Sequence, residues 1–413
     1  MAQEFFWGAS TSSHQIEGGN ENNWTQWEKE NAERLAEEEK KNVKFWDETR
    51  LEGQYPENYI SGKATDHLHR FEEDIRLIKE LNLSAYRFSV EWSRIEPEKG
   101  VFNEEAIDFY YKIVRVLKTY NIEPFVTLWH FTLPIWFEEM GGFKNPKAHQ
   151  YFGRFVKIVV ERLKADVKYW ITINEPEVYS LESYFLGKWP PQKKGIYNFW
   201  RVLNNLVNVH KKAYGIIKKI DPKAQVGIAK NNTYFEAYKN KFINRVLKKL
   251  ADRYCNDYFL MKIKDHQDFI GLNYYFHNRI DGWFNQNENR VVSDLGWELY
   301  PKGIYYVLND LKKYQKPIYI TENGLADKKD AHRAWYIKEI LKNVKRARNE
   351  GVDVRGYFHW SLLDNFEWSN GFWPRFGLIE VDYKTLKRTI RKSAREFSKI
   401  IAESDKMILK DKK

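Results

Sequence analysis

The stretch Pro317-Ile318-Tyr319-Ile320-Thr321-Glu322-Asn323-Gly324 decides how the rest of the chain is read. A proline opens a run of β-forming residues and Asn-Gly closes it, a pattern that predicts a short buried strand. Its last residue before the turn is a carboxylate, and an unpaired buried charge is strongly unfavourable. Either Glu322 is ion-paired for structural reasons, or the strand opens into a site that needs a carboxylate. A second apolar run, Tyr169-Trp170-Ile171-Thr172-Ile173-Asn174-Glu175-Pro176, ends the same way.

Outward from these runs, strand-like and helix-like stretches alternate. Strands are expected at 5–9, 85–92, 124–130, 169–174, 225–229, 268–274, 317–321 and 354–360. Helical spacing is expected over 66–81, with Asp66 as N-cap, and over 104–120, 147–165, 199–220, 241–250, 302–313, 330–350 and 389–402. The charged stretch 27–44 reads as an exposed helical excursion. Eight strand–helix units with buried strands imply an α/β fold, a single parallel (β/α)8 TIM barrel. With no linker and no break in composition, residues 1–413 read as one domain, ending in a basic, mobile tail from about 404.

The bulk properties narrow the function. A formal charge of +11 and 68 Lys and Arg against 57 Asp and Glu point to a solvated basic surface, with the cations spread among acids rather than gathered for nucleic acid. The single cysteine, Cys255, leaves no intrachain disulfide and no Cys-based metal site. No metal and no cofactor are expected. Neither a signal peptide after Met1 nor an apolar run long enough to span a membrane is seen, so a cytoplasmic protein without a membrane partner is expected, as monomer or homo-oligomer. Aromatics make up 16% of the chain, and core filling takes the larger share of them.

The active site of such a barrel lies at the C-terminal ends of its strands. Gln15, Arg87, Glu91, His130, Asn174, Glu175, Asn273, Tyr275, Glu322, Trp360 and Glu367 all fall at or just past such an end. Individually they have bland readings: Arg87 can pair with Glu91, and His130 can be a satisfied core histidine. Two carboxylates across a pocket, without a Cys or His cluster for metal, point to cleavage of a glycosidic bond. One carboxyl must hold a proton and the other must stay ionised, so their surroundings must differ. Glu175, beside the uncharged Asn174, is assigned as acid/base. Glu322, with Arg87 and the Tyr275 hydroxyl as candidate partners, is assigned as nucleophile. Spacing alone leaves the exchange of these roles open.

These motifs together resemble a family 1 glycoside hydrolase, a retaining β-glycosidase on a (β/α)8 barrel. The resemblance rests on the segments 6–18, 86–95, 172–176, 320–324, 360–368 and 375–378, in order and at the right strands. It implies a neutral-sugar substrate bound by its non-reducing end. Gln15 and Glu367, helped by His130 and Trp368, are expected on the outer hydroxyls, Asn174 on the 2-hydroxyl and Trp360 beneath the ring. Asn273 and Tyr275 match the family's pair, with Tyr275 bonding the nucleophile and Arg87 keeping it ionised. The carboxylate of Glu367 is expected to repel a sugar phosphate. The implied activity is exo-acting β-glucosidase, with β-galactosidase or β-fucosidase activity possible beside it. Transglycosylation is the alternative from the same intermediate, and a sugar-binding protein without catalysis is the alternative from another class. The chain departs from the family at Glu177, often Trp there and here expected to make the leaving-group side more polar, and in its short loop at 281–296.

Overall fold

Short runs rich in β-branched and aromatic residues form the strands β1 (Phe6–Ser10), β2 (Ala85–Ser89), β3 (Glu123–Thr127), β4 (Tyr169–Asn174), β5 (Gln225–Asn231), β6 (Phe269–Asn273), β7 (Ile318–Asn323) and β8 (Val354–Trp360). They close into a parallel barrel in which each strand pairs with its neighbours in sequence and β8 returns to β1. This is a computed structural model, and it describes residues 5–42 and 48–410. The start of the chain at Met1 and the end of the basic tail at 411–413 lie outside the described residues, as do positions 43–44 of the expected excursion.

The barrel interior is filled at its N-terminal end by Ala85, Phe125, Tyr169, Ile171, Ala229, Phe269, Tyr319 and Phe358, with Phe125 and Tyr169 stacked at 4.2 Å. Because the interior is plugged there, polar groups can gather at the other end. Strand register aligns them. Asn231 lies beside Asn273, Asn273 beside Glu322, and Ser10 beside both Arg87 and Trp360. An irregularity between Leu272 and Asn273 shifts the β6–β7 pairing just before Glu322, a device that re-aims side chains next to sites.

The helices cover the outside with apolar stripes at helical spacing, as in Glu104–Thr119, whose Ile107, Tyr110, Val114 and Leu117 are buried. Several expectations need correction. Asp66 precedes the helix His67–Glu80 but does not cap it: its backbone is left-handed at φ 56°, and its carboxylate accepts from His69 Nδ1 at 2.6 Å. The excursion is the helix Asn23–Asn42, and it is not merely exposed, because Trp24, Trp27, Ala32 and Ala36 are buried. Residues 388–390 are not helical. They form the strand Arg388–Ile390, antiparallel to Ile379–Val381, and the last helix runs Lys392–Lys410. Two short strands, Tyr234–Ala237 and His277–Ile280, pair beside the barrel where the sequence had shown only loop.

Candidate active site

Arg87 leaves β2 at the C-terminal end of the barrel and is fully buried. Every guanidinium nitrogen is engaged. Nε donates to Thr127 Oγ1 at 3.0 Å, Nη2 to Asn174 Oδ1 at 2.7 Å, and Nη1 to Glu322 Oε1 in a short ion pair. A planar fork tied to three strands cannot swing away, so it fixes the carboxylate it faces. The alternative pairing with Glu91 is ruled out by this arrangement. Glu91 accepts instead from Ser13 Oγ and Ser93 Oγ at 2.9 Å and from Thr132 Oγ1 at 3.0 Å.

Glu322 ends β7 and is 4% exposed. Tyr275 Oη donates to its Oε2 at 3.0 Å. Burial pushes its carboxyl above the ordinary range, and Arg87 first, then Tyr275 and Asn273, pull it back toward the anion. Gly324 follows because the chain must pass closely here: a Cβ at this position would overlap the Trp360 carbonyl oxygen.

Glu175 stands at the N-cap of the helix Pro176–Tyr184 with φ 42°, a left-handed conformation for a residue with a Cβ, and Pro176 starts the helix. Such backbone is retained at about 1–3 kcal/mol and clusters at functional sites. Asn273 Nδ2 and Asn231 Nδ2 donate to its Oε1 at 2.7 and 3.2 Å. Among the described residues no cation pairs with it. Burial, then the charge of Glu322, raises its carboxyl from 4.5 to about 7. Asn273 donates to Glu175, and the charge of Glu322 also acts on Glu175. The cation lies with Glu322, which favours the anion there over Glu175.

Asn174 Nδ2 donates to His130 Nε2 at 3.1 Å. Burial and the nearby Arg87 charge keep His130 well below its ordinary pKa, so it is neutral. Its Nδ1 has no hydrogen-bond partner among the described residues. The His130 ring stacks on Trp360 at 5.7 Å and on Trp368 at 5.9 Å. These residues, with Glu175, Glu322, Tyr275 and Glu367, line a cleft of about 610 Å3. Gln15 stands behind the wall, its amide donating to Phe366 O at 2.7 Å and to Glu367 Oε2 at 3.3 Å.

Burial first, then the Glu322 charge, raises the Glu367 carboxyl to about 8, against the Gln15 and Trp360 donors.

Two participants went unread in the sequence. Asn231, the donor to Glu175, lies past the point where the fifth strand was expected to end. Lys230, fully buried beside it, lies 3.2 Å from Glu177 Oε1 and donates to the carbonyls of Asn231 and Cys255 at 2.6 and 2.7 Å. Glu177 lines the cleft, as expected, and its carboxylate also pairs with the buried Lys230.

The chain matches the model of glycosyl hydrolase family 1 over residues 1–261 and 237–406. It is 32% identical to β-glucosidase A of Thermotoga maritima, over 96% of this chain and 96% of that protein. The structure of a β-glucosidase from the same organism in complex with glucoimidazole superposes with a TM-score of 0.85 at 30% identity, covering 96% of this chain and 98% of the other. A β-glycosidase from Pyrococcus horikoshii gives a TM-score of 0.83 at 36% identity, covering 96% and 93%. With the barrel and its paired carboxyls, these likenesses show that the chain belongs to glycosyl hydrolase family 1, hydrolases of O-glycosidic bonds.

Proposed function

We propose that the chain is an exo-acting retaining β-glucosidase, with one catalytic domain, acting on neutral β-glucosides and their oligosaccharides. The observation that carries the reading is the unequal environment of two neighbouring carboxyls. Glu322 is held against a locked arginine, and Glu175 is buried with amide donors from Asn273 and Asn231. In the first step the Glu322 carboxylate attacks the anomeric carbon while the Glu175 carboxyl protonates the departing oxygen. The C–O bond to the aglycone breaks as the glycosyl–Glu322 ester forms. In the second step the Glu175 carboxylate takes a proton from water, whose oxygen attacks the same carbon and frees Glu322.

The remaining residues are assigned by position. Asn174, already oriented by Arg87 and His130, faces the 2-hydroxyl, a contact that strengthens in the transition state. Asn273 and Tyr275 hold the two carboxyls. Trp360 forms the floor beneath the sugar, and His130 Nδ1, Trp368 and Glu367 take the outer hydroxyls, with Gln15 setting Glu367. Glucose and galactose differ in one hydroxyl orientation, which Gln15, Glu367 and Trp368 are proposed to tolerate, giving some activity on β-galactosides and β-fucosides. The cytoplasm is the compartment proposed, the lone cysteine being compatible with it.

The test is proton NMR of wild-type turnover, together with a panel of nitrophenyl β-glycosides and disaccharides. β-Glucose as first product from β-glucosides supports the reading. α-Glucose as first product, or no turnover of any β-glycoside, overturns it.

A further inference from the structure

The helix Phe242–Ala251 carries apolar residues on two sides. Inward, Leu247 and Ala251 pack with Phe235, Ile280 and Phe284, and Asn244 Nδ2 donates to Tyr238 O at 2.8 Å. Outward, Phe242, Ile243, Val246 and Leu250 are 74, 51, 38 and 48% exposed. Trp283, 68% exposed, adjoins them on a loop tied to the helix by Gly282 N–H donating to Asn244 Oδ1 at 2.8 Å. Successive helical residues advance by about 100°, so the four outward residues share one sector, and Arg245, Lys248 and Lys249 fill the next. Between Lys239 and Arg253 stand six Lys and Arg against the single Asp252. Lys241 and Lys248 pair with Asp281 and Asp252, whereas Arg245 and Lys249 enter no salt bridge among the described residues.

A contiguous exposed apolar stripe marks a contact surface, and one edged by cations has the character of a helix lying in a membrane interface. We propose that this face docks on an anionic lipid surface. Phe242, Ile243, Val246, Leu250 and Trp283 enter the headgroup boundary, and the neighbouring cations meet the lipid phosphates. A second copy of the chain fits the face less well, because pairing the two stripes would bring the cationic edge of one helix close to that of the other. No helix among the described residues is long and apolar enough to cross a membrane, and docking in the interface plane needs none.

The docked face adjoins the cleft. Phe235, against which the helix packs, and Tyr254 and Cys255, in the turn that follows it, line the cleft together with Leu181 and Phe199. Resting on the glucosidase reading, this geometry names a substrate class: β-glucosides of amphiphilic alcohols, taken from the lipid boundary. The docking itself does not rest on that reading.

The experiment is co-sedimentation of the whole protein with vesicles of phosphatidylglycerol and phosphatidylcholine, against phosphatidylcholine alone. The anionic vesicles are expected to retain the protein. Arg245→Gln with Lys249→Gln is expected to lower the partition coefficient about 30-fold, each cation near the surface being worth about fivefold. Phe242→Ser with Trp283→Ser is expected to abolish retention. Both variants should keep wild-type turnover of p-nitrophenyl β-glucoside, which shows that they fold. Equal retention by both vesicle types, or retention untouched by the substitutions, overturns the proposal. So does a concentration-dependent dimer that Phe242→Ser breaks while vesicles retain nothing, which assigns the face to a second copy. Retention on anionic vesicles without turnover of any β-glucoside upholds the docking and defeats the glucosidase reading.

Discussion

Replacing Glu175 by Gln should cost turnover and gain stability, and the gain should depend on pH. Gln keeps the shape and keeps an oxygen for Asn273 and Asn231, which donate at 2.7 and 3.2 Å, but it cannot ionise. The wild-type carboxyl is raised from 4.5 to about 7, first by burial and then by Glu322. A group with a raised folded-state pKa lends its stability fully below the unfolded pKa and loses it as pH climbs through the folded one. Between pH 4 and pH 8 the wild-type protein should therefore lose about 3 kcal/mol through this group alone, at 1.36 kcal/mol per pKa step. Glu175→Gln escapes that loss. Guanidinium unfolding at the two pH values should show the variant's midpoint advantage widening by about 3 kcal/mol, with unchanged slope. A difference between variant and wild type that is the same at both pH values would refute the assignment of the proton to Glu175.

The same carboxyl fixes an arm of the pH–rate profile: kcat/KM should fall as pH rises through about 7, where Glu175 loses the proton it donates. A flat profile up to pH 9 would contradict this. Tyr275→Phe removes one donor to a charged group, worth about 1.5–3 kcal/mol, so kcat/KM should drop roughly 10- to 150-fold. An unchanged kcat/KM would remove Tyr275 from the site. Arg87→Met strands the Glu322 charge in a buried position, a loss of about 3–5 kcal/mol in folding stability measured by urea unfolding at pH 7. A loss below 1 kcal/mol would show that the ion pair does not hold Glu322.

The barrel was legible because eight strand-like runs alternate with helical stretches, and most residues of each run are buried, as all of Tyr169–Asn174 are. Glu322 and Glu175 stood out for the opposite reason, as carboxylates ending strands with no use for them. What escaped the sequence depends on packing in three dimensions. Asn231 was missed because β5 runs two residues past its apolar run, and only register places that amide beside Asn273 and Glu175. Trp24 is buried against Trp189 and Trp368, far away in the chain, and Trp27 packs on Trp24. Glu177 does line the cleft, but its partner Lys230 was missed because it sits on another element. Asp66 read as a cap from its position alone, whereas its φ of 56° turns the carboxylate to His69. The helix expected from 389 failed because Thr389 and Ile390 find partners in Glu380 and Ile379.

The central claim is that Glu322 forms a covalent bond to the sugar while Glu175 handles the proton. Incubation with 2-deoxy-2-fluoro-β-glucosyl fluoride, followed by intact mass and peptide analysis, tests it most directly. The account predicts one fluoroglucosyl group per chain, carried on the peptide that contains Glu322 and absent from Glu322→Gln. A label on the Glu175 peptide, or steady turnover with inversion and no label at all, would contradict it.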